Sequence, residues 1–250
     1  ALGFYSLAYR ILSVMTQVLI ETSKRVALPT FSRLQHDLPK MRSAFYKVAR
    51  ITSLIAFPFF LGTAVLAPKI VPFIFGEQWM ASVPVLQVLA LVGIFRSLSK
   101  FKGAVFLAVG QPEWKVKLGQ LSSSLNFIGF AIAVRWGSVA VSVAYLIRAF
   151  IMFPIVQLIL SRLIQVSIFK YLRQAIAPLA ASLVMSGALI LLGRSLIDFD
   201  IRFQIASLVL AGGIIYLWAL RLFAPDATAE ALNIAQSVFP RLNLKRLKPK

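Results

Sequence analysis

The sequence predicts an all-α integral membrane protein, a bundle of spanning helices. Three observations point there. Of the 250 residues, 59% are hydrophobic and only 14% charged, whereas a soluble domain is about 25% charged. Mean hydropathy is +0.83. The apolar residues also form continuous runs of spanning length, not the alternation over about ten residues that marks a barrel strand. The formal net charge of +19 suits a nucleic-acid binder, but long uninterrupted apolar runs do not, and disorder requires low hydrophobicity. No nucleic-acid partner is expected.

A helix rises 1.5 Å per residue, so crossing a hydrocarbon core about 30 Å thick takes about 20 apolar residues. Seven stretches qualify, at about 1–21, 51–68, 84–108, 117–135, 139–160, 175–193 and 203–222. Pro58, Gly62, Gly93, Gly129 and Pro154 interrupt them, which spanning helices tolerate better than soluble ones. Asp37 and Pro39 read as the cap and first turn of a helix. Leu38, Met41, Phe45 and Val48 then share a face, with Lys40, Arg42, Lys47 and Arg50 mostly elsewhere. This predicts an interfacial amphipathic helix at 37–50. A second surface helix is expected over 226–239, capped by Asp226 and stopped by Pro240. The basic tail, 226–250 as a whole, is expected to lie on anionic lipid.

Charge sets the direction of the chain. Lys24, Arg25, Arg33, Lys40, Arg42, Lys47 and Arg50, then Lys115 and Lys117, then Arg162, Lys170 and Arg173, and the tail, fall on one set of connections. The other set holds Lys69 with Glu77, then Arg135, then Arg194 and Arg202 balanced by Asp198 and Asp200. The positive-inside rule makes the first set cytoplasmic, and with it the C-terminus. Trp79 and Trp136 read as interface anchors at the outer ends. With no cysteine and a single histidine, His36, neither a metal site nor a cofactor is expected. Ala1 opens directly into an apolar segment without a signal-peptide pattern, which reads as the C-terminal part of a longer protein.

The informative residues are charges within the spans, because each is costly there and tends to mark function. Arg10 lies in the first span, Arg96, Lys100 and Lys102 in the third and Arg148 in the fifth. All eight acidic residues fall in connections, ends or tail. Helical rise puts Arg10 and Arg148 about 21 Å from the basic residues Lys24 and Arg162, and Arg96 about 24 Å from Pro112. Lys100 lies one turn below Arg96, on its face, whereas Lys102 points elsewhere and can snorkel to the surface. Arg10, Arg96, Lys100 and Arg148 are therefore candidate ligands for an anionic group in a hydrated cavity. Arginine suits phosphate because its planar fork donates hydrogen bonds in pairs. The competing reading pairs each arginine with an acid outside the present sequence or with carbonyls at a helix break. Ser122, Ser123, Ser124 and Asn126 read as polar contacts that knit helices together.

Four segments, ALGFYSLAYRIL, LPTFSRLQHDLPKMRSAFYKVAR, IFGEQWMASVPVLQVLALVGIFRSLS and FLAVGQPEWKVKL, resemble the polysaccharide transporter family. These are Wzx-type flippases of lipid-linked oligosaccharides, including members similar to colanic acid exporters, within a superfamily that also holds multidrug antiporters. The resemblance spans about residues 1–165. It implies a fold of two six-helix lobes around a central cavity, often followed by two extra helices. The chain would supply the second lobe (1–165) and the two extra helices (166–225), the first lobe being absent. It also implies alternating access that carries an undecaprenyl-diphosphate-linked sugar unit across the bacterial inner membrane. Arg10, in YSLAYR, and then Arg96 are the positions the resemblance favours for holding the diphosphate. Lys100 and Arg148 rest on depth alone.

Three alternatives accompany this reading. A cation-coupled drug antiporter needs buried carboxylates, and the spans hold none. A membrane enzyme acting on the same lipid carrier needs a nucleophile–base pair. The longest internal connection, about 21–50, offers only Glu21, His36 and Asp37, so no catalytic residue is assigned. A non-transporting scaffold is the fourth reading, for a chain without a first lobe.

Overall fold

The computed structural model describes residues 2–225, with side chains at 3–17 and 31–225. Among the described residues eight α-helices follow in order: α1 (Leu2–Arg33), α2 (Leu38–Phe75), α3 (Val83–Leu98), α4 (Lys102–Ala108), α5 (Glu113–Ala133), α6 (Ser138–Ile164), α7 (Ile168–Ser195) and α8 (Ile201–Phe223). No strand occurs among the described residues. The described part of each predicted apolar stretch is helical, the third being divided between α3 and α4 and the fourth running from α5 into a 3-10 turn, Val134–Trp136. Among the described residues five rods are long and apolar enough to cross a membrane: Leu38–Phe75, Glu77–Ala108, Ser138–Ile164, Ile168–Ser195 and Ile201–Phe223. α1 and α5 are more polar. α5 carries Glu113, Lys115, Lys117 and a polar run from Ser122 to Asn126, and α1 carries Arg10 and Thr16. Both border the cavity described below.

The connection expected at 21–50 is almost entirely helical. α1 runs through Arg33, and residues 38–50 are the opening turns of α2. Asp37 caps α2: its carboxylate accepts the Lys40 amide at 3.0 Å and pairs with the Lys40 ammonium at 2.8 Å. Those two contacts hold its carboxyl below the ordinary range. At 38 residues, α2 is about 57 Å long, well beyond a core of about 30 Å. The expected amphipathic helix is thus the projecting end of a spanning helix, and protein covers its apolar face at Met41 and Phe45 while Leu38 stays exposed. Met41 and Phe45 are buried, and the Phe45 ring packs on Phe31 and Tyr171, with centroids 6.4 and 5.5 Å away.

Two hydrophobic cores hold the bundle. The larger gathers Leu12, Phe31, Phe45, Phe57, Phe60, Leu86, Phe106, Leu160 and Tyr171 from α1, α2, α3, α4, α6 and α7. α2 and α3 approach closely at Gly93, where any Cβ would overlap the Phe60 ring. The smaller core, with Leu54, Leu66, Met185, Leu189, Leu208 and Leu220, seats α7 and α8 on α2. Polar ties reinforce it. The Tyr216 hydroxyl donates to the Leu54 carbonyl at 2.8 Å. The Lys69 ammonium donates to Gln204 Oε1, and Gln204 Nε2 donates to the carbonyls of Ile197 at 3.1 Å and Phe199 at 2.7 Å. Lys69 is therefore a half-buried residue within α2, not part of an outer connection. α7 enters both cores through Tyr171 and Met185, so packing continues across the boundary expected at 165–166.

The FGEQW segment forms a tight turn and a short 3-10 helix, Glu77–Ser82. Gly76 has φ +92°, and the Gln78 side chain occupies the space a Cβ would need, so glycine is required there. Trp79 packs edge-on against Phe4 of α1, with centroids 5.7 Å apart. It therefore holds α1 to this turn, whereas Trp136 is exposed. The expected surface helix at 226–239 and the basic tail lie outside the described residues.

Candidate anion-binding cavity

α1, α3, α4, α5 and α6 border a half-open cavity of about 380 Å³ lined by Thr16, Arg96, Lys100, Lys102, Lys115, Ser122, Tyr145 and Arg148, with Phe95, Phe106, Leu118 and Met152 among its apolar wall. No Asp or Glu is among its lining residues. Helical spacing explains the convergence. Tyr145, Arg148, Ala149 and Met152 stand at i, i+3, i+4 and i+7 on α6, and Lys115, Gly119 and Ser122 lie along one face of α5.

Arg148 is held on two sides. Its Nη1 donates to Ser122 Oγ, and its guanidinium lies over the Tyr145 ring, 4.4 Å from the centroid. Its buried Nε has no partner, and neither does the buried Nη1 of Arg96. A buried charged donor left unpaired costs on the order of 1–3 kcal/mol or more. An anion in the cavity would offset that cost and the mutual repulsion of the cations.

The break between α3 and α4 shapes this wall. Arg96 sits in the last turn of α3, and Ser99 caps it. Ser97 Oγ bonds back to the Gly93 carbonyl at 2.8 Å, a contact that bends helices. The Tyr171 hydroxyl donates to the Leu98 carbonyl at 2.6 Å, taking up one of the acceptors a helix end leaves free. Arg96 and Lys100 are therefore not one turn apart on a continuous helix, and the rise counted from Pro112 does not set their depth. The break turns Lys102 into the cavity, where the sequence had it pointing away. Lys115 joins it through the α4–α5 turn. There Gly110 adopts φ +75°, the Gln111 amide donates to the Phe106 carbonyl at 2.9 Å, and Trp114 Nε1 donates to Gln111 Oε1 at 2.9 Å.

Arg96, Lys100 and Arg148 thus share one cavity. Arg10 does not: it is exposed and absent from the lining. At 3.6 residues per turn, Arg10 and Thr16 point about 120° apart around α1. Sequence reasoning named Lys102 but turned it away from the cavity, did not name Lys115, Thr16 or Tyr145 for it, and assigned Ser122 only to helix packing.

The fold and cavity define a polytopic helical membrane protein with a cationic interior site. Its architecture is similar to that of the lipid II flippase MurJ in an inward closed conformation. The TM-score is 0.71 at 18% identity, covering 90% of this chain and 47% of that one, so the two share a fold. A family profile described as "Polysaccharide biosynthesis protein" matches residues 1–84. The teichuronic acid biosynthesis protein TuaB of Bacillus subtilis is 29% identical over 238 residues, 93% of this chain and 49% of TuaB. The lipopolysaccharide biosynthesis protein WzxC of Escherichia coli is 32% identical over 146 residues, 58% of this chain and 30% of WzxC. The succinoglycan biosynthesis transport protein ExoT of Rhizobium meliloti is 34% identical over 100 residues, 40% of this chain and 20% of ExoT. The chain is thus similar in sequence to polysaccharide biosynthesis proteins and shares its fold with MurJ. It spans about half the length of TuaB.

Proposed function

We propose that this chain is part of a flippase that moves an undecaprenyl-diphosphate-linked polysaccharide repeat unit across the bacterial inner membrane by alternating access. One observation carries the reading: a cavity within the bundle lined by Arg96, Lys100, Lys102, Lys115 and Arg148, without an acidic residue in its wall. Bidentate arginines and point-charge lysines suit a diphosphate. Lys115, two residues into α5, receives the headgroup at the basic end of the bundle, which the positive-inside rule makes cytoplasmic. Arg96 and Arg148 hold it deeper, through the donors now without partners. Lobe closure then carries the bound diphosphate past the bilayer centre. The remaining half of the cavity is supplied by a first lobe, as in a two-lobed flippase. Cation-coupled drug efflux fits less well, because a cationic drug would meet like charges in this wall.

The test is complementation of a strain deleted for the full-length protein. Arg96→Gln with Arg148→Gln, at unchanged protein level in the membrane, abolishes surface polysaccharide and accumulates the lipid-linked unit. Normal polysaccharide output from the double variant would sink the proposal.

A further inference from the structure

We propose that Tyr5, Tyr9 and Tyr145 form a platform on which the first sugar of the transported unit stacks. The inference rests on the diphosphate reading above and extends it from the anion to the sugar it carries.

The tyrosines are continuous with the cations. Tyr145 lines the cavity, and its ring carries the Arg148 guanidinium at 4.4 Å. The Tyr9 ring lies 6.2 Å from Tyr145, centroid to centroid, and Tyr5 stacks on Tyr9 at 6.1 Å with 17° between the planes. Phe130 of α5 closes the cluster from behind, 6.4 Å from Tyr5 and 6.0 Å from Tyr145. Their order along the bundle matters. Tyr145 is about one turn from Arg148 toward the start of α6, and Tyr9 is about 10 Å from Thr16 toward the start of α1. Both directions lead away from the basic end. A ligand whose anionic group lies between Arg96 and Arg148 therefore presents its next group to the tyrosines.

The residue type fits that group. A pyranose has an apolar C–H face and a rim of hydroxyls, and tyrosine offers a ring face and a phenol for the two. Packing alone does not call for phenols in the interior of a spanning bundle, where each hydroxyl needs a partner. Phe57, Phe60 and Phe106 fill the core without one. Tyr9 is 36% exposed, so part of its side chain is accessible.

Binding to the full-length protein in nanodiscs tests this with two probes, farnesyl diphosphate and farnesyl diphosphoglucose. The wild type binds the sugar-bearing probe more tightly. Tyr9→Leu weakens that probe about two- to tenfold, the range of an aromatic contact, and leaves farnesyl diphosphate unchanged. Tyr9→Phe, which keeps the ring, retains most of the affinity. Equal loss on both probes, loss on neither, or equal wild-type affinity for the two overturns the platform while the diphosphate reading stands. Binding of neither probe by the wild type overturns both.

Discussion

Tyr171→Phe isolates what holds the α3–α4 break in place. The Tyr171 ring is fully buried, and its hydroxyl donates to the Leu98 carbonyl at 2.6 Å. Phenylalanine keeps the ring against Phe45 and Phe153, whose centroids lie 5.5 and 6.2 Å away, and removes only the donor. A buried acceptor left unpaired costs about 1–3 kcal/mol. The shift per kcal/mol is about 2–4 °C for 150–250 residues and smaller for a longer chain, so the thermal midpoint falls by about 1–4 °C in a detergent thermal-shift assay of the full-length protein. Leu98 lies between Arg96 and Lys100, so the loss also disturbs the cavity. Affinity for farnesyl diphosphate drops severalfold, less than on removing a cavity arginine. A variant as stable as the wild type and equal to it in binding would refute the claim that α7 pins this break.

Two further perturbations follow from packing. Gly93→Ala drives a methyl into the Phe60 ring and destabilises by about 1–3 kcal/mol, the range for overpacking. Phe60→Leu in the same chain relieves part of that loss in a thermal-shift double-mutant cycle, whereas additive effects would show the two residues to be uncoupled. Gln204→Leu leaves the half-buried Lys69 ammonium without its acceptor and frees the carbonyls of Ile197 and Phe199. Amide hydrogen exchange over 197–205 accelerates while α3 keeps its protection; unchanged exchange at the start of α8 would rule out this clasp.

Hydropathy made the helices legible, because each apolar run is long enough to declare itself. The break at 99–101 was not, since no proline or glycine lies within it and its support comes from Tyr171, 73 residues away. Residues 38–50 read as a separate surface helix because their charges lie mostly off the apolar face. The partners of Phe45, namely Phe31 and Tyr171, come from other helices and leave no local trace. The site was half legible. Arg96, Lys100 and Arg148 stood out as charges within apolar runs. Lys115 did not, because near a helix start it looks like any residue that sets orientation. Arg10 stood out equally, yet its direction around α1 takes it away from the cavity. Depth can be counted along a sequence, whereas facing depends on how neighbouring helices pack.

The central claim is that Arg96 and Arg148 hold a diphosphate. Its most direct test is the affinity of the full-length protein for farnesyl diphosphate in three variants, Arg96→Gln, Arg148→Gln and Arg10→Gln. Loss of a charge-assisted contact lowers affinity about ten- to hundredfold in each of the first two. Arg10→Gln, outside the cavity, stays near the wild type. Wild-type affinity in Arg96→Gln and Arg148→Gln would contradict the account.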